Sequence, residues 1–246
     1  FGSRELNEIY ASMALKTFAT SMVSIFVPIY LVNLGYSFAQ VFIYYAVVRI
    51  VHAMSVMRAA KTVAKFGLKH TILFSMPFLI LYYLALYYLP VLDISIYWIA
   101  CLFGIHNALY WVGYHVDFAR SSQKIHRGMQ IGALYVFSML FMILGPVLGG
   151  LILFVSDFKV LYSLVFCLLL FSVWPLFLSK EIFESFELGL SRVSLRRRFR
   201  TLLTFVGFGI ENTVITVIWP VFLYFQIVGD FSKLGLISSL SILSSV

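Results

Sequence analysis

Seven side chains lie where a hydrocarbon environment should not hold them without a reason: Arg49, His52, His106, Asn107, Tyr110, Glu211 and Asn212 all fall inside long apolar runs. Ionisable groups at such depth are costly and by default mark a pathway or a coupling site. Arg49 and His52 are three residues apart and share a helical face with Tyr45. His106, Tyr110, Gly113 and Asp117 recur at i, i+4, i+7 and i+11, a polar stripe that should face protein or water. The chemistry open to this set is recognition of a polar solute and exchange of a proton. Desolvation favours a neutral Glu211 and a nearby cation a charged one, so its protonation would follow the distance to Arg49. Histidine titrates near neutral pH without any shift. Plainer roles stay open: a static Arg49–Glu211 ion pair, and a His106 that only bonds a neighbouring helix. Lys16, a few residues inside the first run, is expected to snorkel to the membrane surface. Tyr110, Trp111 and Tyr114 suit either a cavity that stacks on a flat or cationic solute or simple filling of gaps between helices.

The elements that must position these residues are membrane spans. Of the 246 residues 62% are hydrophobic and 11% charged, and the mean hydropathy is +0.98. Soluble domains are about 45–50% apolar and about 25% charged, so a soluble globular chain, a disordered chain and a nucleic-acid binder are all excluded. Apolar runs of spanning length occur at 10–33, 38–59, 70–90, 94–117, 129–155, 159–179 and 201–228, and an eighth opens near Ser232. All must be helical, because lipid offers no partner for backbone N–H and C=O groups. Pro28, Pro77, Pro146, Pro175 and Pro220 are then kinks. The fold class expected is an all-α polytopic bundle of seven complete spans and part of an eighth. The chain starts without Met and stops inside an apolar run, which reads as a piece of a longer protein; no cleavable leader is expected.

Charge gives an orientation. Fourteen of the 18 basic residues fall before span 1 or in the loops after spans 2, 4 and 6, and only Lys159 and Lys233 lie in the opposite loops. By the positive-inside rule those loops and the N-terminus face the cytoplasm, so the +8 net charge is a topology signal first. Tyr36, Tyr87, Tyr88, Tyr97 and Trp98 fall at the outer ends, as an interfacial belt would. Residues 180–200 read as an amphipathic cytoplasmic linker between a six-helix bundle, 1–179, and the start of a second bundle, 201–246. Its Arg196–Arg198 cluster either anchors span 7 or meets anionic headgroups. Cys101 and Cys167 lie in apolar runs without metal-ligand spacing, and no paired-aspartate, HExxH or Ser/His arrangement occurs in the spans. Neither an enzyme nor a cofactor or metal site is expected.

The chain starts over after six spans. Phe26-Val27-Pro28-Ile29-Tyr30-Leu31 reads like Ile218-Trp219-Pro220-Val221-Phe222-Leu223, each late in its span and each followed by a glycine, Gly35 or Gly229, and a serine, Ser37 or Ser232, opening the next helix. Internal repeats of this kind build several transporter folds, with the solute site near the midplane between them.

Two further stretches carry a resemblance to the major facilitator superfamily. Residues 60–69 lie on that family's cytoplasmic signature, Gly-x-x-x-Asp-Arg/Lys-x-Gly-Arg/Lys-Arg/Lys: Lys65, Gly67 and Lys69 match, whereas Ala60, Ala64 and Leu68 do not. The acid expected at position 64 is absent; Asp117 matches a second acid of the family's charge relay, with Lys65 or Arg58 as partner. In span 5, Gly132, Gly145, Pro146, Gly149 and Gly150 fall in register with the Gly/Pro pattern of the antiporter branches, and Phe141 replaces the middle glycine. Small residues one turn apart allow close helix packing, and Pro146 bends the span. Arg127-Gly128 is also like the family's entry to span 5, while its span 4 arginine signature is absent. The resemblance covers the whole chain and implies a secondary transporter of the plasma (inner) membrane, working by alternating access on a small organic solute among spans 1, 2, 4 and 7. Proton coupling through Glu211 or His106 and export over import are part of that expectation. The partners implied are the lipid bilayer, the solute and protons. The alternative, a transporter-like fold that senses a solute without moving it, stays open.

Overall fold

The computed structural model describes residues 4–121, 127–178 and 199–244, and among them every regular element is helical. In chain order these are α1 (Arg4–Ser21), α2 (Val27–Asn33), α3 (Phe38–Phe66), α4 (Leu68–Tyr88), α5 (Ile96–Ser121), α6 (Arg127–Val155), α7 (Phe158–Val173), α8 (Phe199–Thr213), α9 (Trp219–Phe222) and α10 (Phe231–Ser244). A 3₁₀ turn, Trp174–Phe177, prolongs α7, and π-helical stretches Val214–Ile218 and Leu223–Val228 flank α9. Among the described residues, six helical segments are long and apolar enough to cross a membrane: Phe38–Phe66, Leu68–Tyr88, Ile96–His115, Ser138–Val155, Phe158–Phe177 and Val206–Val228. Large apolar side chains such as Met54, Phe154, Phe171 and Ile215 point outward, as a chain in contact with lipid requires. The linker expected at 180–200 lies almost wholly outside the described residues.

The first expected span departs from a continuous helix. Residues 22–26 form a turn between α1 and α2, with Pro28 in the first turn of α2. Pro220 likewise stands in the first turn of α9, directly after a π-helical stretch. Proline removes a backbone donor and clashes with the carbonyl four residues earlier, so in each case regular hydrogen bonding fails just before the ring. Pro77 and Pro146 are instead accommodated inside α4 and α6. The parallel between the two stretches extends beyond proline: Gly35 and Gly229, which follow them, have φ of +95° and +64°, values L side chains rarely adopt. α2 and α9 pack against each other. The next helices open differently from each other. Ser37 and Gln40 form a reciprocal capping box on α3. α10 starts after Asp230 rather than at Ser232; the Lys233 backbone N–H donates to the Asp230 carboxylate at 2.9 Å and holds that carboxyl below the usual carboxylate range.

α5 packs on α3 and α4, α1 on α6 and α7, and α4 on α7, around a core that includes Phe26, Tyr44, Leu79, Leu86 and Tyr162. Because lipid is as apolar as these side chains, association rests on close packing and on hydrogen bonds between helices. Tyr30 donates to the Leu86 carbonyl at 2.8 Å, and Tyr44 to the Tyr82 hydroxyl at 3.1 Å. On α6, a Cβ at Gly145 or Gly149 would overlap Ser21 or the Met22 carbonyl, and one at Gly150 would lie 2.5 Å from the Phe231 carbonyl oxygen. From the other side, a Cβ at Gly235 of α10 would overlap the Pro146 carbonyl, and Ser239 donates to the Ile143 carbonyl at 2.5 Å. Four of the five residues of the expected span 5 pattern therefore sit where helices meet backbone to backbone. The packing of Gly132 lies outside the described residues.

Candidate functional site: a polar cavity between α3, α5 and α8

The helices leave a cavity of about 950 Å³ whose walls come from the α1–α2 turn, α2, α3, α4, α5, α8 and the first π-helical stretch. Three of the seven expected residues lie in its wall: Arg49 of α3, Asn107 of α5 and Asn212 of α8. The Arg49 Nη2–H donates to Asn212 Oδ1 at 2.5 Å, joining α3 to α8 across 163 residues of sequence. Glu211 does not line the cavity; it is exposed. Successive residues on a helix point about 100° apart, so of Glu211 and Asn212 only one can face Arg49, and here it is the amide. The Arg49–Glu211 ion pair weighed from sequence is thus replaced by a hydrogen bond from a cation to a neutral group.

The two histidines among the seven lie elsewhere, whereas His115 of α5, given no role from sequence, lines the cavity. His52 is half-buried on α3 and outside the cavity wall. His106 is fully buried, with Nδ1 2.9 Å from the Ser75 carbonyl oxygen on α4 and its ring stacked on Phe103 and Tyr110. The carbonyl requires a donor, so Nδ1 carries the hydrogen and Nε2 has no partner among the described residues. Tyr110 is buried beneath Lys16, whose ammonium stands 3.4 Å from the ring centroid and 5.5 Å from that of Trp111. Lys16 is 8% exposed, which corrects the expectation that it snorkels outward. The reason is the face it occupies: an ammonium over an electron-rich ring gains a cation–π attraction that offsets part of its desolvation.

The residues matched to the 60–69 signature divide in the same way. Gly67 turns the chain between α3 and α4 with φ of +86°. Lys65 is exposed, with its ammonium 5.0 Å from the Phe66 ring centroid. Lys69 is buried and forms an ion pair with Glu8 at 3.1 Å, both side chains less than a tenth exposed. Glu8, on α1, did not stand out in the sequence because it lies outside the apolar runs. The Asp117 side chain lies outside the described residues.

Sequence reasoning also passed over the aromatic floor of the cavity, Tyr82 and Tyr83 of α4, and the hydroxyls of Thr213 and Thr216. Adjacent tyrosines in the middle of an apolar run were the available signal for the first pair. The arrangement offers one guanidinium, two amides, the His115 imidazole and several hydroxyls beside aromatic side chains, a set that can hold a polar organic molecule. No protein-family model matches the chain, and no curated protein matches it.

Proposed function

We propose that the chain belongs to a secondary transporter of the major facilitator type, with its N-terminus in the cytoplasm and the plasma (inner) membrane as its location. The α1–α2 stretch and the α8–α9 stretch are its first and seventh spans, and α10 is part of the eighth. The observation that carries this reading is the cavity of about 950 Å³ enclosed between the first helices and the α8 segment. That volume falls in the range of about 300–1,000 Å³ typical of small-molecule sites. The contact between the two proline-bearing stretches fits a repeat axis passing between them, and the α6–α10 packing supplies a second point where the halves meet.

Alternating access makes a specific demand: a residue of the cavity wall must be reachable from each side of the membrane in turn. With Cys101→Ala and Cys167→Ala in a full native chain otherwise freed of cysteine, Thr216→Cys is expected to react with a membrane-impermeant maleimide applied to either face of sealed vesicles. Reaction from one face alone removes the transport reading and favours a solute sensor. Proton coupling, if carried by Glu211, predicts that Glu211→Gln abolishes pH-driven flux and leaves solute exchange intact; an unchanged pH dependence takes that role from Glu211.

A further inference from the structure

The described wall of the cavity carries formal charge of one sign. Among the described lining residues Arg49 is the one formally charged group and none is a carboxylate; His115 adds an imidazole. Asn212 occupies the place a counter-ion would take, and it accepts a single bond, from Nη2. The Nε–H and Nη1–H groups have no partner among the described residues. Nη2 keeps a second N–H, which with the Nε–H or Nη1–H beside it forms a planar fork that matches the two oxygens of a carboxylate better than any neutral group. The side chains of Tyr45, Phe103 and Trp111 line the same cavity and give it aromatic surface. The cationic solute that the aromatic residues alone would also suit is disfavoured, since it would face Arg49 with no acid among the described lining residues to balance it.

We infer that the cavity takes an organic anion, a carboxylate carried on a flat apolar body, with Arg49 as the residue that contacts the carboxylate and Asn212 as the residue that holds Arg49 in place. This deepens the transport reading and rests on it for treating the cavity as the solute site. Three ring-matched probes test it by equilibrium dialysis against the full native chain in lipid nanodiscs, with empty nanodiscs as the blank: 1-naphthoate, 1-naphthamide and 1-naphthylmethylammonium. Naphthoate is expected to bind at least tenfold more tightly than the ammonium, with the amide between them. Arg49→Gln removes the charge and Asn212→Asp supplies an internal counter-ion while keeping the arginine; each is expected to weaken naphthoate at least tenfold. Arg49→Lys keeps the charge without the fork and is expected to lose less. Equal or tighter binding of the ammonium, no measurable binding of naphthoate, or a naphthoate affinity that survives both Arg49→Gln and Asn212→Asp overturns the inference. The two readings fail separately: anion preference with Thr216→Cys reachable from one face only leaves an anion-binding protein that does not transport, whereas access from both faces with cation preference leaves a transporter of another substrate class.

Discussion

A methyl group added at Gly149 of α6 would run into the Met22 carbonyl, whereas the same addition at Gly209 of α8 meets nothing within 4 Å. These two glycines belong to two regions of opposite character. Where α6 meets the α1–α2 turn and α10, backbones touch, and serine hydroxyls from α1 and α10 bond to α6 carbonyls. Where α3 and α5 face α8, the helices stand apart and the space is lined by polar and aromatic side chains. The segment from 199 to 244 is therefore held firmly along α10 and loosely along α8. In a membrane this difference matters more than in water: without a hydrophobic drive between helices, backbone proximity is the main source of attraction, and a gap between helices must be filled by water or ligand. Under the transport proposal, the tight region is where the halves pivot and the open one is where the solute sits.

The largest effect expected on this comparison comes from Gly149→Ala and Gly235→Ala. Each places a Cβ against backbone that cannot move aside, and a loss of roughly 1–3 kcal/mol is expected in thermal unfolding of the detergent-solubilised chain. Gly209→Ala is the control: with open space around it, the change should be neutral or favourable by up to about 1 kcal/mol through helix propensity. Tolerance at 149 and 235 together with destabilisation at 209 would reverse the assignment of tight and open regions. A smaller effect is expected for Tyr82→Phe, which removes the acceptor of the Tyr44 hydroxyl at the cavity floor; about 1 kcal/mol of stability should be lost. The smallest effect on stability, within about 0.5 kcal/mol, is expected for Arg49→Gln, since Arg49 is exposed and its one hydrogen-bond partner among the described residues is neutral. A large destabilisation there, seen in the same unfolding assay, would make Arg49 a structural tie between α3 and α8 rather than a ligand contact.

How much of this could be read beforehand depends on the residue. Arg49, Asn107 and Asn212 stood out in the apolar runs and do lie in the cavity wall, because polarity at depth is visible in a one-dimensional pattern. Glu211 stood out equally and is exposed, because depth along a helix says nothing of rotation about it. Lys16 was expected at the surface and is buried against Tyr110, a partner 94 residues away that no local pattern names. Glu8 passed unnoticed and turned out to hold Lys69, again through a neighbour distant in sequence.

Composition and hydropathy by themselves determined that this is a helical membrane chain, since the cost of an unpaired peptide group in hydrocarbon leaves a long apolar segment no other form. They also located the prolines and glycines that interrupt or tighten its helices. Only the tertiary structure decided which of two adjacent polar residues faces Arg49, which glycines touch backbone and which touch nothing, and which acid meets Lys69. Those outcomes depend on the rotation and separation of helices, which are set by packing among residues far apart in the chain.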